Sequence, residues 1–172
     1  MTGLVVTALV LIALAIFYTA RRSRLGLEDQ VLQLFDLDAE RFEVLGFDLG
    51  DGSRKVMLRG DGLIGAPDAI FKRRHDGCIV IGDYKARRFR GQPSTYERYQ
   101  MVLYMGVARR RYRRPVAGLL SYGCGHVEPV AFEPETYAWL LTLRATVRDL
   151  DARFAPRTRS RRRSGLPAAV SR

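Results

Sequence analysis

The chain opens with eighteen consecutive uncharged residues, Gly3 to Ala20, reading "GLVVTALVLIALAIFYTA". At about 1.5 Å per helical residue such a run reaches roughly 27 Å, close to the thickness of a hydrocarbon core, and it is apolar on every side. This predicts one transmembrane helix. Residues 25–40 then place Leu27, Val31, Leu34 and Phe35 at helical spacing. Four short runs with strand character follow at 41–49, 54–60, 63–73 and 78–86. They are separated by the turn signals Gly50–Asp51–Gly52, Asp61–Gly62 and His75–Asp76–Gly77, which predicts an antiparallel meander. Residues 94–112 return to helical periodicity: Ser94 or Thr95 supplies an N-cap, Glu97 falls in the first turn, and Tyr96, Gln100, Leu103 and Val107 share one face. Two more strands, 116–123 and 127–132, precede a last helix beginning near Pro134. The order of elements predicts a mixed α/β domain with helices flanking the sheet.

Charge sharpens this outline. Arg21, Arg22 and Arg24 come after the apolar run and not before it, which predicts a retained anchor and not a cleaved leader; the short N-terminus would face outward and the domain would lie in the cytoplasm. Residues 153–172 hold seven arginines, no acid and two prolines, the composition of a basic tail that does not fold alone and that suits either anionic lipid or nucleic-acid phosphate. The predicted organisation is therefore an anchor with its basic flank at 1–24, a folded domain at 25–152 and a tail at 153–172. A net charge of +11 over 172 residues points to a polyanionic partner. Two cysteines, Cys78 and Cys124, are too few for a disulfide framework and lack the paired spacing of a zinc or iron–sulfur site.

Within the strands, the chemistry concentrates on three short motifs. In "GDYKA" side-chain alternation puts Asp83 and Lys85 on one face and Tyr84 on the other. A hairpin around His75–Asp76–Gly77 would bring Asp68, in "GAPDAI", across to Asp83. Paired carboxylates repel unless a divalent cation lies between them, and an all-oxygen site suits Mg²⁺ or Mn²⁺. A cation so held can polarise a phosphodiester, with Lys85 orienting the attacking water. Gln100 and Tyr104 sit one turn apart on the helix that follows.

Pro67–Asp68, then Asp83-Tyr84-Lys85, then Gln100 and Tyr104 in "YQMVLY" resemble, in order and spacing, the PD-(D/E)XK nuclease superfamily, specifically its RecB-like branch. The stretch "GLLSYGCGHVEPVAFEPETYAWLLTL" is similar to the late strand pair and last helix of the CRISPR-associated adaptation exonucleases, so the likeness covers roughly residues 25–152. The resemblance implies a restriction-endonuclease-like core, metal-dependent cleavage of DNA by an exonuclease, metal ligation by Asp68 and Asp83, assistance by Lys85, and substrate contact through Gln100 and Tyr104. The chain departs from the family pattern in three ways. No histidine lies early enough to serve as a further metal-site residue, leaving Glu28, Glu40 and Glu43 as substitutes. The four cysteines of the iron–sulfur relatives are missing, so no cluster is expected. The apolar N-terminal run is an addition. A second reading keeps the fold but not the catalysis, giving a module that tethers DNA to the membrane.

Other residues admit two readings. The run from Arg109 to Arg114 either satisfies a helix C-terminus or contacts phosphate beside the catalytic face, together with Lys72–Arg74 and Arg87, Arg88 and Arg90. His75 reads as a turn residue and His126 as a loop or strand residue. Tyr96 and Tyr99 either stack on bases or bury against the sheet, the latter being the expectation here.

Overall fold

The computed structural model describes residues 26–49 and 54–154. A helix, α1, covers residues 26–34. It is followed by β1 (Phe42–Phe47), β2 (Leu58–Gly60), β3 (Leu63–Gly65), β4 (Ala69–Arg73), β5 (Ile79–Lys85), α2 (Thr95–Tyr112), β6 (Val116–Tyr122), β7 (Val127–Val130) and α3 (Pro134–Phe154). Five strands form one mixed sheet in the order β1-β4-β5-β6-β7, antiparallel throughout except for the parallel β5–β6 pair that α2 connects. The mixed α/β expectation therefore holds.

The transmembrane part of the fold expectation is corrected. Among the described residues no helix is long and apolar enough to cross a membrane. The longest, α3, has 21 residues, but Arg144 and Arg148 among others break any apolar stretch. The run 3–20 that carried the expectation, and most of the basic tail, lie outside the described residues.

The meander is also corrected. The run 63–73, read as one strand, is split at Pro67, which has no N–H to give to a ladder. Its first part, β3, pairs only with β2 in a separate two-stranded sheet, and its second part, β4, inserts between β1 and β5. The chain turns between β2 and β3 at Asp61 and Gly62, both at positive φ (51° and 69°), the pattern of a two-residue hairpin.

Alternation along the strands fills both faces of the five-stranded sheet. On one face Val31 and Leu32 of α1 and Phe35 in the turn after it pack against Val44, Phe47, Phe71 and Val80. Gly82 is the gap into which this helix fits, since a Cβ there would meet the Phe35 ring at 2.7 Å. The other face carries Ile70, Ile79, Ile81, Leu120 and Tyr122 under Met101, Val102 and Met105 of α2. Helix α3 lies against α2, with the Tyr137 ring seated over Gly106. Tyr137 also donates from its hydroxyl to Asp61 at 2.5 Å. Arg110 pairs with the same carboxylate, and Arg144 donates to the carbonyls of Asp61 (3.1 Å) and Gly62 (2.6 Å). The β2–β3 hairpin is thus pinned at its tip by both long helices. Burial, together with the Asp61 carboxylate, pushes the Tyr137 phenol well above its usual range.

Candidate active site

The ends of β4 and β5 meet in the register that the hairpin fixes. Ala69 and Gly82 are cross-strand partners, so Asp68 and Asp83 occupy the next position of the ladder, side by side and on the α2 face. Asp83 is buried, with only 4% of its surface exposed. Lys85, two residues on, brings its Nζ to 2.5 Å from Asp83 Oδ2. That buried oxygen accepts no hydrogen bond, and the Lys85 ammonium is its ion-pair partner. The pair is largely buried, unlike an exposed strand-end salt bridge, and a carboxylate in such a place is costly unless a cation matches it, as the Lys85 ammonium does here.

Lys85 also donates to Gln100 Oε1 at 2.9 Å, Gln100 Nε2 donates to Tyr104 Oη at 3.1 Å, and Tyr104 reaches the Ala66 carbonyl at 3.5 Å. One continuous polar chain therefore joins the aspartate-x-lysine strand, the glutamine–tyrosine helix and the loop before Asp68. Asp68 in turn accepts the Tyr84 N–H at 2.6 Å. Burial pushes the Asp68 carboxyl up; the Tyr84 N–H opposes this, the Asp83 charge adds to it, Lys85 opposes it and Asp48 adds to it. Burial is likewise the first cause that raises the Tyr104 phenol.

Helix α2 presents Gln100 and Tyr104 because its N-terminus is fixed locally. Ser94 and Glu97 form a reciprocal capping box, the Glu97 N–H donating to Ser94 Oγ at 3.3 Å and the Ser94 N–H to Glu97 Oε2 at 2.8 Å. Arg87 clamps the same carboxylate through two bonds, 2.9 and 2.5 Å long, tying the segment after Lys85 to the helix start. Burial pushes the Glu97 carboxyl up, but the Arg87 and Ser94 bonds outweigh it and leave it at about 2. A carboxylate with a depressed folded-state pKa contributes stability that is complete above its unfolded value and disappears as pH falls through the folded one. Glu97→Gln is therefore expected to flatten the stability–pH curve between about pH 4.5 and about pH 2, where the native chain loses on the order of 2 kcal/mol from this group. Urea titrations of both proteins at several pH values would check this, and parallel curves would refute it.

The Tyr104 end of the chain depends on Gly65. A Cβ at that position would come within 2.4 Å of the Tyr104 ring. Gly65→Ala is expected to move the ring, break the Gln100–Tyr104 bond and lower activity about tenfold, with little change in the melting temperature. Unchanged activity with an ordinary melt would show that the polar chain is dispensable.

Among the described residues, no three histidine, cysteine, aspartate or glutamate side chains converge closely enough to hold a metal ion by themselves. Two carboxylates with water and substrate oxygens making up the rest is nonetheless an ordinary arrangement for Mg²⁺, and the buried Asp83 oxygen, which accepts no hydrogen bond, is an acceptor such an ion can use beside Lys85. Asp68 and Asp83 therefore fit a hard divalent cation. The substitutes for an early metal-site glutamate do not join them. Glu43 faces Lys72 at 3.7 Å near the far end of β1, Glu40 is exposed beyond α1, and Glu28 lies on α1 itself. The residue that pattern reading passed over is Asp48, whose N–H donates to the Asp68 carbonyl at 2.7 Å. It lies inside the strand-like run 41–49, but nothing in that run relates it to Asp68; the β1–β4 register does.

The basic residues divide between the two ends of the sheet. Lys85 pairs in register with Tyr122, whereas Ile79 pairs with Val116, six residues or about 20 Å away. Arg109 to Arg114 and Lys72–Arg74 belong to that far end, so they do not flank the carboxylates. Arg113 is the left-handed C-cap of α2 and donates its N–H to the Arg109 carbonyl. A cavity of about 730 Å³ lies there, between Arg109, Arg113 and Phe132, distant from the site chemistry. A second, of about 630 Å³, opens among Arg87, Arg90 and Arg98 at the start of α2, the end of the sheet that carries Lys85. Tyr96, expected to be buried, is 74% exposed beside it, and Tyr99 meets Trp139 edge-on at 5.6 Å. His75 sits in the β4–β5 turn, and His126 stacks on Phe89 at 3.8 Å and contacts Glu128. Cys78 is buried and Cys124 exposed, and neither is in a disulfide.

No family model matches the chain, and no curated protein matches it. Among solved structures, the chain is similar to the crystal structure of SSO0001, with 16% identity and a TM-score of 0.41 over 77% of this chain and 59% of that one. The chain spans less than two thirds of that neighbour, and a superposition this loose bears on neither its function nor its site.

Proposed function

We propose that the protein is a Mg²⁺- or Mn²⁺-dependent deoxyribonuclease of the PD-(D/E)XK type that hydrolyses phosphodiester bonds from DNA ends. The observation that carries this reading is the polar chain from Asp83 through Lys85, Gln100 and Tyr104 to the Ala66 carbonyl, which links three segments of the sequence around one buried carboxylate. A packed helix face or an isolated ion pair has no need of such continuity. Asp68 and Asp83 would hold the cation, which when bound would supply Lewis acidity toward the phosphate and lower the pKa of a neighbouring water. Lys85, fixed between Asp83 and Gln100, places a positive charge beside the scissile group where negative charge develops. Gln100 and Tyr104 keep the Lys85 ammonium from swinging away. Arg87, Arg90 and Arg98 line a cavity at the same end of the sheet, a basic surface that a phosphate backbone would follow.

The test is incubation of the metal-free protein with end-labelled single- and double-stranded DNA, with and without Mn²⁺ or Mg²⁺, beside Asp83→Ala and Lys85→Ala. Metal-dependent cleavage lost in both variants supports the reading, and mononucleotide products establish attack from ends. If none of the three proteins cleaves while salt-sensitive DNA binding persists in all, the catalytic assignment fails and the chain is a DNA-binding module.

A further inference from the structure

The arginine run at the end of α2 divides in two once its partners are traced. A helix C-terminus attracts cations toward its unpaired carbonyls, and two members of the run serve the fold. Arg110 pairs with Asp61, and Arg111 donates to the Met57 carbonyl at 2.6 Å, so both hold the segment around β2 and β3. The last turn of the helix is closed by backbone, the Arg113 N–H donating to the Arg109 carbonyl at 2.9 Å. Arg109, Arg113 and Arg114 are left over. All three line the cavity of about 730 Å³ at the far end of the sheet, and among the described residues none of them pairs with a carboxylate.

Each is nonetheless positioned. Arg109 lies over the Phe132 ring, 5.4 Å from its centroid. Arg113 is fixed at its backbone by the left-handed C-cap, with φ of 52°. Arg114 lies against Gly77, where a Cβ would come within 3.3 Å of its guanidinium. Three guanidiniums gathered around one hollow repel each other unless an anion lies among them. The other basic cavity differs in this respect, because there Arg87 is neutralised by Glu97 and Arg98 by Glu133. The remaining walls of the far cavity are mostly apolar, among them Pro115, Val116, Phe132 and Pro134. Apolar walls with a few convergent charges are the character of a site for a small organic ligand, and guanidinium forks match phosphate oxygens.

We infer that this cavity binds a nucleoside polyphosphate, with the phosphates among Arg109, Arg113 and Arg114 and the base against the wall of Phe132 and Pro134. A free nucleotide suits it better than a nucleic-acid strand. The hollow that joins this cavity to the other basic one, sharing Ala131 with the first and Arg98 with the second, is lined by Glu128 and Glu133, which repel a phosphate backbone. The inference goes beyond the nuclease reading and does not rest on it, since the carboxylates lie about 20 Å away along the sheet.

The experiment is equilibrium dialysis of the purified full chain against radiolabelled ATP in EDTA, which keeps the carboxylates free of metal. ATP is expected to bind at a single site, tripolyphosphate about tenfold more weakly, and adenosine not at all. Arg109→Gln and Arg113→Asn are each expected to weaken ATP binding about tenfold. Asparagine tolerates the left-handed backbone at 113, and melting curves identify either variant if it fails to fold, leaving the other to carry the comparison. Arg90→Gln removes the same charge from the other cavity and is expected to bind ATP as the native chain does. Equal weakening in Arg90→Gln would show attraction to net charge alone and overturn the inference. So would ATP binding that is unchanged in both Arg109→Gln and Arg113→Asn, or no binding by the native chain. Tripolyphosphate binding as tightly as ATP would overturn the role of the base. A single-stranded oligodeoxynucleotide that binds through Arg109 and Arg113 while ATP does not bind would overturn the free nucleotide in favour of a strand. None of these outcomes decides the nuclease reading, which stands or fails on metal-dependent cleavage.

Discussion

Lys85→Ala is expected to lose metal-dependent DNA cleavage by about a thousandfold while keeping its fold and its affinity for Mn²⁺. The separation of these effects follows from the position of the side chain. Lys85 touches Asp83 and Gln100 but supplies no ligand atom to a cation, so its removal takes positive charge from the reacting phosphate and leaves both carboxylates in place. Removing an ammonium 2.5 Å from Asp83 also makes the carboxylate row more negative, which favours a divalent ion. Asp83→Asn is the contrasting case, in which cleavage and Mn²⁺ affinity fall together. Gln100→Ala lies between the two, since Lys85 keeps its charge but loses the bond that aims it. Initial rates on end-labelled DNA at saturating Mn²⁺, set beside the Mn²⁺ titrations, would check all three. Equal loss of Mn²⁺ binding and cleavage in Lys85→Ala would assign the lysine to holding the site together and not to the reaction.

The largest expected effect on stability is at Gly106. A Cβ there would lie 2.2 to 2.5 Å from three atoms of the Tyr137 ring, and that ring is immobilised by its bond to Asp61. Glycine in mid-helix costs roughly 1 kcal/mol relative to alanine, and its presence here is explained by this close approach of α3. Gly106→Val is expected to destabilise the domain by about 3 kcal/mol, lowering its melting temperature by about 10 °C, because neither backbone nor ring can give way without releasing the hairpin tip. Combining it with Tyr137→Leu should recover part of the loss. A Gly106→Val melt that matches the native protein would mean that α3 does not seat on α2 as described.

Local rules made some of this legible in the sequence. Strand alternation alone places Asp83 and Lys85 together, one helical turn relates Gln100 to Tyr104, and Ser94 with Glu97 announces the start of α2; each pattern spans a few residues, and each is realised. What failed depended on partners distant in the chain. Periodicity cannot reveal that 63–73 divides between two sheets, although Pro67 in its middle was the available warning. Nor can it place an arginine run at one end of a sheet or the other, which is decided by the parallel register of β5 with β6. Asp61 read as a turn residue, and the three bonds it accepts from Arg110, Tyr137 and Arg144 come from helices 49 to 83 positions further on. Asp48 escaped for the same reason, being significant only through β1 lying beside β4.

The pinning of the β2–β3 hairpin has a consequence for timing. The hairpin leads directly into the loop that carries Asp68, yet its tip is secured by Tyr137 and Arg144, close to the end of the folded region. During synthesis, N-terminal elements form first, so β1, β4 and β5 can pair before α3 exists. At that stage Asp83 and Lys85 are in place, while the loop bearing Asp68 and the seat of Tyr104 against Gly65 still lack their support. A growing chain would bring its carboxylates side by side as soon as β4 and β5 pair, and the docking of the last helix is the step that secures the hairpin seating Tyr104.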